Sequence, residues 1–154
     1  METNTEKIAE KLNALVQKNR DAQEGFEKAG QIVTSKTLSE WFVARAIERR
    51  IFREELKEEI HSFGHPCVQT PSLTGDIHRT WMEIKAAFSV DSDKAMLKEA
   101  MRGEKAALEE YNDVFAETTM PPSTDVLLKA HRAKIEDGLA ILRAMENIEF
   151  QEES

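Results

Sequence analysis

Apolar residues recur every three or four positions along most of this chain, a rhythm that predicts helices. The first stripe is Ile8, Leu12, Leu15, Val16, Ala22, Phe26, Ala29 and Val33, so a long helix is expected over residues 4–32, with Thr3 or Thr5 as its N-cap. Asn19 and Gln23 fall on that stripe although they are polar. A second helix is expected over 36–63, opened by Ser35 or Thr37 and closed by Gly64, His65 and Pro66. Its stripe runs Leu38, Phe42, Phe52, Leu56, Ile60 and Phe63, and Arg45 and Arg49 stand where the apolar rhythm lapses. A third is expected over 92–117, capped by Asp91 or Ser92, with Met96, Leu97, Ala100, Ala107, Tyr111 and Val114 inward and Glu104 interrupting them. A fourth is expected over 123–148, after the Pro121-Pro122 turn, with Leu127, Leu128, Ile135, Leu139, Leu142 and Met145 on one face and His131 among them.

The links between these helices differ. The first two and the last two are joined by short turns, whereas the middle link runs from His65 to about Asp91. Its first part carries two prolines and reads as irregular chain. Its second part places Ile77, Trp81, Ile84 and Phe88 at helical spacing, which predicts a shorter helix over about 75–88, docked by Trp81. A simple up-and-down bundle needs no link of that length. Two hairpins joined by a full-length crossover form an all-α, ferritin-like four-helix bundle, here a single domain over 1–154 with a fifth, shorter helix in the crossover.

Four segments carry a family likeness: DAQEGFEKA (21–29), FREEL (52–56), SLTGDIHRTWMEIKAA (72–87) and MLKEAMRGEKAALEEY (96–111). Together they resemble a bacterial family of ferritin-like four-helix-bundle proteins catalogued as a domain of unknown function. The most specific part is Gly75, His78, Arg79, Trp81 and Lys85, followed by Glu99, Gly103, Glu104 and Tyr111. The resemblance implies a ferritin-like fold, a bacterial source and a link to stress responses. It brings no established activity.

Charge narrows the field of partners. The formal net charge is −8, a field that repels phosphate backbones and anionic membrane surfaces, so neither nucleic acid nor membrane is expected as a partner. Cys67 is the only cysteine, which excludes an internal disulfide and suits a reducing compartment. With no basic-then-apolar leader and no long apolar run, the expected location is the cytoplasm.

A ferritin-like di-iron centre needs an inward Glu from each of two helices and Glu-x-x-His from each of the other two. The only Glu-x-x-His here is Glu58–His61, at the far end of its helix. Glu104 is well placed, but His131 has Leu128 three residues before it. An iron site would have to draw on Glu24, Glu27, Glu99, Glu104 and His131, and this degenerate set is the weaker reading.

The stronger reading is a paired polar interior. With the first and fourth helices running together against the second and third, a rise of about 1.5 Å per residue sets Asn19, Arg49, Glu104 and Ile135 at one height. Gln23, Arg45 and Glu99 would form a second layer above, with Glu55 and His131 one turn below. Glu104 is then expected to accept from Arg49, with Asn19 nearby, and Glu55 to meet His131. Trp41 beside Phe42 widens the apolar face at the start of the second helix, either for the core or for a contact between chains. On this reading the protein has no cofactor and is not an enzyme. It acts by self-association or through a protein partner.

Overall fold

A computed structural model of the chain describes residues 4–67 and 92–150. Among them are four helices and no strand: α1 (Asn4–Ile32), α2 (Lys36–Ser62), α3 (Ser92–Glu117) and α4 (Pro122–Phe150). The expected crossover helix over 75–88, with His78, Arg79 and Trp81, lies outside the described residues.

Each boundary has a local cause. Ser35 caps α2 by accepting from the Leu38 amide at 3.2 Å. At its other end Gly64 takes φ +76°, and its amide reaches the His61 carbonyl at 2.9 Å. The fourth helix begins one residue earlier than its apolar pattern, at Pro122, whose missing N–H costs nothing at that position. The α1–α2 hairpin closes tightly because Gly30 has no side chain: a Cβ there would lie 3.2 Å from Val43 Cγ2 and 3.4 Å from the Ser39 carbonyl. Ser39 Oγ donates to the Gly30 carbonyl at 2.7 Å across that crossing.

Contacts between helix ends fix the directions. Asp93, in the first turn of α3, accepts from the Thr34 amide, the Thr34 hydroxyl and the Ser35 amide at 2.8–2.9 Å. The starts of α2 and α3 are therefore together. Ser123 and Thr124 at the start of α4 donate to Glu59 near the end of α2, and Lys11 near the start of α1 pairs with Glu117 at the end of α3. Thus α2 and α3 run parallel, with α1 and α4 opposed to them. The chain leaving α2 must return about 40 Å, the length of that helix, to begin α3.

The buried apolar residues form two clusters. One gathers Ile8, Leu12, Leu15, Phe52, Leu56, Ile60, Tyr111 and Leu128 near one end of the bundle. The other gathers Phe26, Ala29, Leu38, Phe42, Met96, Leu97 and Leu142 near the other. Each fully buried side chain of this size contributes about 1.5–3 kcal/mol. Between the clusters lies a waist of buried polar side chains: Asn19, Arg49, Glu104 and His131, each at most 2% exposed.

Candidate functional site: a polar waist across the bundle

Arg49 projects from the middle of α2 and Glu104 from the middle of α3, and they meet as an ion pair inside the bundle. The Arg49 guanidinium carbon also sits 5.6 Å from the Phe26 ring centre and 5.7 Å from that of Phe52, so aromatic faces take up part of its charge. Its Nε has no hydrogen-bond partner. Burial pushes the Glu104 carboxyl up from its ordinary value, and the adjacent Arg49 pulls it back. Glu104 also leans on α4, where a Cβ at Gly138 would lie 3.2 Å from its Oε2.

One turn away, a hydrogen-bonded row crosses all four helices. Asn19 Nδ2 donates to its own helix at the Leu15 carbonyl (2.9 Å) and to the Tyr111 hydroxyl oxygen (3.0 Å). The Tyr111 hydroxyl lies 3.0 Å from His131 Nδ1, and His131 Nε2 lies 3.2 Å from Glu55 Oε1. The network assigns the protons. Tyr111 accepts from Asn19, so its own hydrogen goes to Nδ1; His131 is then the Nε2–H tautomer and donates to the Glu55 carboxylate. Phe52 stacks on the imidazole at 4.0 Å between ring centres, 12° from parallel. Burial lowers the His131 pKa to about 4 although Glu55 opposes it, so the ring is neutral at pH 7. Burial likewise raises that of the Tyr111 phenol.

The second layer expected above the pair does not assemble. Gln23 is half-buried, donates to Glu27 at 3.0 Å and accepts from Arg53 at 2.6 Å. Arg45 pairs with Glu48 at 2.9 Å and covers Trp41, while Glu99 is held by Arg102. These side chains lie at the rim, where partners on the same helix or on the adjacent one are nearer than one across the core. Asn19 joins Tyr111 rather than the Arg49 pair. Glu55 reaches His131, but from a position 41% exposed. The apolar pattern places Tyr111 in the core and says nothing of its hydroxyl, which links α1 to α4. Nor does the pattern single out Asp93, which directly follows the Asp91 and Ser92 expected to cap α3 and ties that helix to the α1–α2 turn. Trp41 packs edge-on against Phe26 and beside Phe42, as part of a wide core face.

The five residues considered for iron do not fit that metal. Glu24 pairs with Arg20, Glu27 accepts from Gln23, Glu99 is tied to Arg102, Glu104 to Arg49, and both nitrogens of His131 are engaged. Among the described residues no group of three or more His, Cys, Asp or Glu side chains is placed to hold a metal ion. A guanidinium already occupies the place beside Glu104 where a cation would sit. Among the same residues, no helix is long and apolar enough to cross a membrane.

No curated protein matches the chain. A family profile described as a domain of unknown function (DUF2383) matches residues 7–117, which span nearly all of α1, all of α2 and all of α3. The match therefore takes in Asn19, Arg49, Glu55, Glu104 and Tyr111, and stops short of His131. With most of its length covered, this chain belongs to the family of the domain of unknown function DUF2383.

Proposed function

We propose that this protein is a ferritin-like bundle that acts by binding protein, a second copy or a partner, and not by catalysis. The parallel run of α2 and α3, with a long link between them, supports the ferritin-like reading. The observation that carries the binding role lies on the outside of α2. Val43, Ile47 and Ile51 stand four residues apart along one side of α2 and are 46%, 47% and 48% exposed, with Val43 at the edge of the row beside Gly30 of α1. They make an apolar row about 12 Å long on a helix whose exposed charged residues include Lys36, Glu40, Arg50, Glu54 and Glu58. A contiguous exposed apolar patch is what a binding face presents, whereas scattered exposed apolar residues need no explanation. The interior offers a buried ion pair and a hydrogen-bonded row in place of ligands for iron. The family resemblance adds a bacterial source and stress physiology as the setting, and the single cysteine suits a cytoplasmic one.

Sedimentation velocity and partner capture with the wild type and Ile47→Glu test this reading. The wild type is expected to self-associate or to retain a partner, and the variant to lose that contact with its thermal unfolding unchanged. A wild type that stays monomeric and captures nothing would overturn it. So would iron bound at one or more equivalents per chain and lost in Glu104→Ala.

A further inference from the structure

Tyr111 is the chain's only tyrosine, and its phenol opens onto a proton path that a binding surface has no use for. The residue is 2% exposed. Its hydroxyl faces His131 Nδ1 at 3.0 Å, and the far side of that imidazole faces Glu55 at 3.2 Å. The Glu55 side chain is 41% exposed and lines an open cleft of about 390 Å³ with Glu58, Glu59 and Ser123. Buried phenol, imidazole and surface carboxylate thus stand in series, every donor toward an acceptor.

We propose that Tyr111 is a reversible one-electron redox site whose proton leaves and returns through His131 and Glu55. The oxidant is of the outer-sphere, one-electron class. It takes one electron from the phenol, and the phenolic O–H bond breaks as its proton passes to His131 Nδ1. The proton already on Nε2 moves to the Glu55 carboxylate. The products are a neutral phenoxyl at Tyr111, a neutral imidazole now protonated on Nδ1, a carboxylic acid at Glu55 and the reduced oxidant. Glu55 then releases its proton to water in the cleft. A one-electron donor reverses each step.

Three features of the surroundings favour this chemistry. Each proton crosses an existing hydrogen bond, so no heavy atom has to travel. Asn19 donates to the phenolic oxygen before and after oxidation, and Phe52 stacked on His131 holds the acceptor ring in place. The apolar cluster around Tyr111 keeps out water and other radicals, and the chain has no second tyrosine with which a phenoxyl can couple. An electron has only about the thickness of one helix to cross to reach an oxidant at the surface. The site is separate from the α2 face and does not depend on it.

The test is flash-quench oxidation of the full chain by photo-oxidised tris(bipyridine)ruthenium, read by transient absorption and electron paramagnetic resonance. A tyrosyl signal is expected in the wild type, absent in Tyr111→Phe and slower to form in heavy water. Glu55→Gln, at an exposed position, removes the terminal acceptor, and the radical should form at least several-fold more slowly with the fold intact by circular dichroism. His131→Gln should act in the same direction. A folded wild type that yields only a tryptophanyl radical overturns the proposal. So does tyrosyl formation at an unchanged rate in both Glu55→Gln and His131→Gln.

Discussion

At the scale of single residues, the waist is where stability responds most unevenly to substitution. Arg49→Ala leaves Glu104 charged and buried with no cation beside it, and urea unfolding should show a loss of about 3–5 kcal/mol. Replacing both members, Arg49→Met with Glu104→Leu, removes the desolvated charges together. That double variant should match the wild type or exceed it by about 1–4 kcal/mol. A double variant as weak as Arg49→Ala would mean that the pair itself holds the helices together. The positions of these two residues were legible in the sequence because each interrupts an apolar stripe, and counting along the helices set them at one height. The choices of Gln23, Arg45 and Glu99 were not legible. Pattern places a residue on a face, but at the rim several partners lie within reach, and side-chain length and solvent decide among them. Tyr111 was hidden for another reason: its ring satisfies the apolar pattern, and the pattern carries no information about the hydroxyl.

At the scale of the helix, two glycines inside regular helices separate backbone propensity from packing. Gly103 in α3 is exposed, and a Cβ there would meet nothing within 4 Å. Gly103→Ala should therefore stabilise the fold by about 0.8–1 kcal/mol through propensity alone, read by chemical denaturation. Gly138 in α4 offers the same propensity gain, but its Cβ would press on Glu104 Oε2, and Arg49 holds that carboxylate in place. Gly138→Ala should gain nothing or destabilise. An equal gain at both sites would show that Glu104 can give way. All four long helices were legible in the sequence, their ends within a residue or two, because periodicity over 26–29 residues averages out local exceptions. The tie from Asp93 to the α1–α2 turn was not, since a short acidic side chain near a helix start reads first as a cap for its own helix.

At the scale of the whole molecule, the row through His131 makes stability depend on pH. The ring is held neutral in the fold, with its pKa lowered from 6.5 to about 4. Between those values the unfolded chain binds a proton that the folded chain does not. Stability should therefore fall as pH drops from about 6.5 to about 4, by up to about 3 kcal/mol from this group. Urea unfolding across that range should give a flatter profile for His131→Gln than for the wild type, and parallel profiles would refute the assignment. The waist has a further consequence, for how the native state opens. It separates two apolar clusters, and each is built from one end of every helix rather than from one hairpin. Cooperative units therefore cut across the bundle. Fraying that starts at either end spreads through neighbouring turns of all four helices and stops at the buried ion pair, where freeing one helix alone would leave Arg49 or Glu104 buried without its partner. Slowest amide exchange then belongs to the turns around Arg49 and Glu104, a protected band at mid-height instead of a protected hairpin.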